Sequence, residues 1–195
     1  MIRPDIPLRS CHKPTIILRR EKDFHAACLR PLRDVKKTPT LAFLFAHPAH
    51  FLALGFGAGL SPVAPGTVGT LVALPLAALV RATTDDAGYL IVVVITFAIG
   101  VWAAGRTGRT LGVADHGAIV CDEVVAFLLV LFFVGADPVR QAFAFLLFRL
   151  FDIVKPPPAN IIDREWHNGF GVMADDIVAA FYAVIVFALW HRASA

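Results

Sequence analysis

From residue 89 to residue 104 the chain runs for sixteen positions without a charged side chain, YLIVVVITFAIGVWAA, and a comparable apolar run occupies residues 174–190. A helix needs roughly 17–25 such residues to cross the ~30 Å hydrocarbon layer of a bilayer. Runs of this kind constrain the fold more than any other feature of the chain. The composition agrees with them: 57% of the 195 residues are hydrophobic and 17% charged, against roughly 45–50% and about 25% in soluble domains. Extended disorder is excluded by so high an apolar content. The chain reads as an all-α, multi-pass helical membrane protein.

Four spanning helices are expected, at about residues 67–83, 88–105, 118–134 and 174–191. Residues 41–54 are too short to span and carry His47, Pro48 and His50, so they read as an interfacial or half-inserted helix. Residues 139–151 form a short, re-entrant return. Turns at residues 85–88 and 135–138 have the Gly/Pro/Asp composition of tight connections. The longer connections at 55–67, 106–123 and 152–176 are chemically rich, and two helical hairpins would bring all three to one side.

Charge is distributed unevenly. Residues 1–40 hold ten Lys/Arg and four Asp/Glu, leaving eight and eleven for the rest. Two regions follow: a basic, flexible cytoplasmic arm over 1–40 and a helical membrane domain over 41–195. The arm lacks the apolar run of a secretory signal, since its longest is Ile16-Ile17-Leu18. Beside so apolar a body its expected partner is an anionic lipid surface rather than nucleic acid. Arg106, Arg109, Arg149, Lys155 and Arg164 fall on the rich side, which the positive-inside rule makes cytoplasmic. Three scattered cysteines exclude a disulfide framework, and Cys121 is expected as a free thiol.

Eight carboxylates of the body (Asp115, Asp122, Glu123, Asp152, Asp163, Glu165, Asp175 and Asp176) lie in the rich connections or at a helix mouth beside them. Charges at membrane depth cost about 2.5–3.5 kcal/mol each on insertion scales, and the adjacent pairs Asp122-Glu123 and Asp175-Asp176 add repulsion. Such a cluster needs a counterion. Oxygen donors without a Cys/His framework point to Mg²⁺ over Zn²⁺. Asp122, Glu123, Asp152, Asp175 and Asp176 are therefore the expected metal ligands. Asp175-Asp176 also read as acids opening the last helix, where the macrodipole favours them.

Arg149, Asp152 and Lys155 recur every three residues ahead of Pro156, Pro157 and Pro158 and can share a helix face. Arg149 and Lys155 are placed to hold phosphate oxygens. The loop at residues 55–70, GFGAGLSPVAPGTVGT, offers hydroxyls at Ser61, Thr67 and Thr70 and backbone N–H groups at a helix start. It is not a Walker loop, because no Lys follows its glycines. His116 and His167 sit in Gly-flanked polar loops near acids, and imidazole is the side-chain type suited to proton transfer at neutral pH. With Asp122 and Asp163 they are the candidate catalytic residues. His12, His25, His47 and His50 read as surface or interface residues.

Taken together, residues 55–70, 115–123 (DHGAIVCDE), 148–156 (FRLFDIVKP) and 163–177 (DREWHNGFGVMADDI) resemble, in order, four blocks of the phosphatidylglycerophosphatase A family. The resemblance covers about residues 50–190. It implies an all-helical, Mg²⁺-dependent enzyme of the bacterial inner membrane, with its active site facing the cytoplasm. That enzyme hydrolyses the terminal phosphate of phosphatidylglycerophosphate to give phosphatidylglycerol and inorganic phosphate. The family's usual His-Gly-Gly is His167-Asn168-Gly169 here, and Cys121 stands where an aromatic is usual.

Other phosphatase chemistries lack their residues. A Cys-x5-Arg phosphatase would need arginine where Phe127 stands, and no Asp-x-Asp-x-Thr/Val string exists. Direct attack by water activated at the metal is preferred over a covalent intermediate. The rival reading is a cation channel or transporter with a carboxylate-lined mouth, but such a protein would place acids mid-span rather than at loop–helix junctions.

Overall fold

The computed structural model describes residues 38–194, so the expectations for the basic arm fall, but for its last three residues, outside the described residues. The described chain is helical. Two short helices, α1 (Leu41–Ala46) and α2 (Pro48–Ala53), precede a 3-10 segment at Gly55–Leu60. Six further helices follow: α3 (Pro65–Thr83), α4 (Asp86–Leu111), α5 (Cys121–Val134), α6 (Pro138–Val154), α7 (Ala159–Glu165) and α8 (Gly169–Ser194).

Local chemistry sets the boundaries. Pro48 forces His47 out of helical geometry (φ −158°, ψ 140°), so the expected single interfacial helix is two, and His47 Nδ1 accepts the Ala49 N–H at 3.0 Å. Pro65 occupies the first turn of α3, where its missing N–H matters least. Asp85 caps α4 through the Gly88 N–H at 2.8 Å, and Asp137 caps α6 through the Arg140 N–H at 2.9 Å.

Three of the described helices, α3, α4 and α8, are long and apolar enough to cross a membrane. The expected fourth span, α5, begins at Cys121 and has 14 residues, about 21 Å of helix. Beyond Asp122 and Glu123 in its first turn it is apolar all round, and it is packed by α3, α4, α6 and α8, which bury most of it, including Phe127, Val130 and Leu131. Encased in this way, it need not reach either headgroup layer. By contrast α3 and α4 leave Leu71, Leu79, Ile91, Val94 and Ile95 exposed, as lipid-facing helices do. The expected short return is a full 17-residue helix, α6.

The hairpins place their ends as parity requires. At one end Arg81 donates to the Leu131 and Phe132 carbonyls at 2.8 Å, and the Tyr89 hydroxyl donates to the Leu128 carbonyl at 3.0 Å. This far end joins the α3–α4 turn to the C-terminus of α5. The starts of α3, α5 and α8 and the end of α6 meet at the opposite end, together with the acids.

Candidate active site

The first turn of α5 carries Asp122 and Glu123, and the second turn of α8 carries Asp176. Ligand oxygens from these three residues lie within 4.8 Å of one another. Asp122 and Asp176 are buried, Asp122 being 8% and Asp176 3% exposed. Glu123 Oε2 and Asp176 Oδ2 have no hydrogen-bond partner in the structure. Unpartnered carboxylate oxygens at this depth are costly, and an oxygen-only set fits a hard divalent cation. The trio can hold a metal ion.

Asp152, on the last turn of α6, lies beside Asp176, and Arg149 Nη1 donates to its Oδ2 at 2.5 Å. The same Nη1 stands 3.8 Å from Glu123 Oε1. One guanidinium therefore meets two of the four carboxylates and is turned mainly to Asp152. The start of α3 closes over this group. A Cβ built at Gly66 would overlap Glu123 Oε1 and come within 3.2 Å of Arg149 Nη1, so a side chain here would displace the Glu123 carboxylate. The first N–H groups of α3 are thereby brought to the acids.

Lys155 follows a different course from the one its spacing implied. Its φ of 45° ends α6 at a left-handed C-cap before the prolines, so it leaves the face shared by Arg149 and Asp152. Its Nζ donates to Asp163 Oδ1 at 2.7 Å and to Asp175 Oδ2 at 2.6 Å. Partial burial opposes the charge, but these two carboxylates outweigh it and hold the ammonium above its ordinary pKa. Two of its three N–H donors are engaged.

The structure thus divides the five expected metal ligands. Asp122, Glu123 and Asp176 converge, Asp152 adjoins them under Arg149, and Asp175 turns to Lys155. Asp175 and Asp176 do not open α8. The helix starts six residues earlier, at Gly169, and Asn168 Oδ1 accepts the Gly171 N–H at 2.9 Å, which is N-cap chemistry. The capping explanation of the acid pair is removed.

The remaining expected residues are scattered around this centre. The Ser61 hydroxyl donates to the Val63 carbonyl and the buried Thr70 hydroxyl to the Gly66 carbonyl, both at 2.8 Å, while Thr67 lies half-buried in the first turn of α3. His116 Nδ1 accepts the Ala118 N–H at 3.2 Å. His167 lies beyond the end of α7, so its spacing from Asp163 is not a helical turn. It lines a cleft of about 390 Å³ with Arg109, Asn168 and the glycines of α4. Two positions carried no usable sequence signal. His50, read as an interface residue, is buried with Nδ1 2.9 Å from the Thr107 hydroxyl; burial, then His47, hold its pKa below the ordinary value. Arg109 joins His167 only through the fold.

The comparisons with known proteins bear on this arrangement. The model of one family, described as Phosphatidylglycerophosphatase A, matches residues 51–191. A Phosphatidylglycerophosphatase A of Haemophilus influenzae is 40% identical over 152 residues, covering 77% of this chain and 93% of its own. One of Escherichia coli is 38% identical over 162 residues, covering 82% and 92%. A Bacteroides thetaiotaomicron protein, provisionally named a phosphatidylinositol-3-phosphatase, is 37% identical over 151 residues, covering 71% and 90%. No solved structure matches.

Proposed function

Because the chain belongs to the phosphatidylglycerophosphatase A family, and so to the phosphatases, we propose that it hydrolyses the terminal phosphomonoester of phosphatidylglycerophosphate to phosphatidylglycerol and inorganic phosphate. The single observation that carries this reading at the site is the buried trio Asp122, Glu123 and Asp176, with two unpartnered oxygens, beside Arg149. A phosphate dianion cannot approach such a trio uncompensated, so we assign it Mg²⁺. When bound there, Mg²⁺ supplies charge neutralisation at the phosphoryl group and Lewis-acid activation of the attacking water.

The chain's own residues do the rest. Arg149 holds Asp152 in place and presents its remaining guanidinium N–H groups to phosphate oxygens. The backbone N–H groups at the start of α3, with Thr67, face the same space. Lys155 positions Asp163 and Asp175 and retains one N–H for the substrate. His116 and His167 are the groups able to deliver a proton to the departing glycerol oxygen. The acid end carries Arg106, Arg109, Arg149, Lys155 and Arg164, which supports placing it at the cytoplasmic face of a bacterial inner membrane.

The test is phosphate release by purified protein from phosphatidylglycerophosphate and from phosphatidylinositol 3-phosphate, with Mg²⁺ and with chelator. Release from the first substrate alone, restored by Mg²⁺ after chelation, is expected. Undiminished release under chelation would overturn the metal assignment, and preference for the inositol lipid would overturn the substrate.

A further inference from the structure

Directly beneath the acid trio lies a cavity of about 150 Å³ lined almost wholly by apolar atoms. One wall is a stripe of α5: Cys121, Val124, Val125 and Leu128. Their i, i+3, i+4, i+7 spacing forms one helix face that descends about 10 Å from the acid end. Cys121 is adjacent to Asp122, so the stripe starts at the site and runs away from it toward the bundle's middle. The opposite walls are Leu76 of α3 and Thr96, Ile99 and Gly100 of α4. Thr96 turns its hydroxyl to the Val92 and Val93 carbonyls, which leaves its methyl for the cavity. Gly55 and Gly100 line it with backbone atoms, their missing side chains leaving room instead for Val120 and Met173.

The cavity is thinly walled between α3 and α4. Helices α3 and α4 are joined by a tight turn at the far end, but each packs on α5 more than on its hairpin partner. Of the residues lining the cavity, Ile99 of α4 and Phe56 of the 3-10 segment are also exposed on the outside, Ile99 by 42%. Both helices are long enough to span and expose apolar side chains around it. An apolar cavity of this size stays dry and accepts an apolar guest. Its surroundings supply one such guest in quantity, the hydrocarbon chain of a lipid.

We propose that this cavity is an acyl-chain subsite: one chain of the lipid substrate enters between α3 and α4 and lies along the α5 stripe, which sets the phosphorylated headgroup over the acid trio. This rests on the phospholipid phosphatase reading above. It differs from simple retention of both chains in the bilayer, because a chain held by α5 fixes the headgroup's position relative to Asp122.

The experiment narrows the cavity with Leu76→Trp and Ile99→Trp, neither of which touches the acids. Activity is measured on phosphatidylglycerophosphate with eighteen-carbon chains and with four-carbon chains. The expected result is a rise of about tenfold in KM for the long-chain substrate, the scale of one to two lost buried methylenes. Activity on the short-chain substrate should stay within about twofold, which also reports folding. Equal effects on both substrates, or none on either, would overturn the subsite. If wild-type protein releases phosphate from neither, the reaction assignment fails, and the cavity is then judged by labelling. Phosphatidylglycerol with a mid-chain diazirine should crosslink to Val124, Leu128 or Ile99, and Leu76→Trp should reduce that yield. Equal crosslinking by phosphatidylethanolamine with the same chain would show a general lipid crevice and overturn the proposal.

Discussion

Asp175 meets the Lys155 ammonium at 2.6 Å, while Asp176, the next residue, lies among Asp122, Glu123 and Asp152. Successive residues of a helix point about 100° apart, so α8 feeds one acid into each of two groups. In the Lys155 group one ammonium binds two carboxylates, Asp163 and Asp175, through hydrogen-bonded contacts. In the trio group four carboxylates lie together, and the one guanidinium there, committed to Asp152, reaches only Glu123 besides. In the first, the chain supplies a cation that both carboxylates bind directly, with Asp115 also within electrostatic reach. The second is shorter of positive charge; unpartnered buried oxygens occur in both, at Glu123 Oε2 and Asp176 Oδ2 in the trio group and at Asp175 Oδ1 beside Lys155. Equal density of acids in the sequence therefore conceals two roles: a latch that ties the end of α6 to α7 and α8, and a centre able to receive a cation.

The sharpest way to break this distinction is to remove one acid from the trio. Asp122→Asn and Asp176→Asn should each lower kcat/KM by at least about a thousandfold, roughly 4 kcal/mol of transition-state stabilisation. The protein should remain folded in detergent and its Mg²⁺ affinity should fall in parallel. Near-normal turnover at saturating Mg²⁺ in either variant would make that residue structural and dissolve the contrast with Asp175.

A second measurement asks which group adjoins the proton donor. His116 follows Asp115 in the loop before α5, whereas His167 shares its cleft with Arg109 on the α4 side. Loss of a general acid typically costs about 10²–10⁴-fold. One of His116→Ala and His167→Ala should show a loss near the lower end of that range, with one limb of the pH–rate profile removed. Wild-type rates and profiles in both would leave proton transfer to solvent at the metal.

Sequence reading and structure part company where the backbone changes direction. Three of the four expected spanning runs and the convergence of the acids on one end follow from apolar length and hairpin parity, and the fold carries them. The separation of Asp175 from Asp176 does not follow, because it depends on the rotational phase of α8, set by where Asn168 starts the helix. Lys155 was placed with Arg149 by a three-residue period, but the chain turns left-handed at Lys155 itself and redirects it. The burial of His50 depends on Thr107, 57 residues away, which no local pattern announces. Gly66 was legible as part of a glycine-rich loop; its closeness to Glu123 was not.

Removing the latch should have a smaller effect on chemistry and a larger one on stability. In Lys155→Met, Asp163 and Asp175 face each other without a cation. Both lysine and Asp163 are partly exposed, so water screens some of the repulsion, and a loss of about 1–3 kcal/mol in stability is expected. The decrease in kcat/KM should be about tenfold, with Mg²⁺ affinity within about threefold of wild type. Adding Asp163→Asn should recover part of the stability, since one of the two stranded charges is then gone. Loss of Mg²⁺ binding in Lys155→Met would merge the two groups into one.

The smallest expected effect tests the element both groups share. Asn168 caps α8 through the Gly171 N–H, and Gly169 packs so closely on α4 that a Cβ there would overlap backbone at Val101 and Gly105. Helix phase is therefore held twice, by the cap and by this contact. Loss of an N-cap side chain to alanine costs about 1 kcal/mol, and to glycine only a few tenths. Asn168→Ala should lower thermal stability by that amount and Asn168→Gly by less. Both should keep kcat/KM within about twofold, because the Gly169 contact maintains the direction of Asp175 and Asp176. A different outcome is informative in one way only. If Asn168→Ala loses activity far beyond its stability change, while Mg²⁺ affinity and the Lys155 latch fall together, the cap alone sets the phase of α8. The partition of adjacent acids into two groups would then rest on a single hydrogen bond.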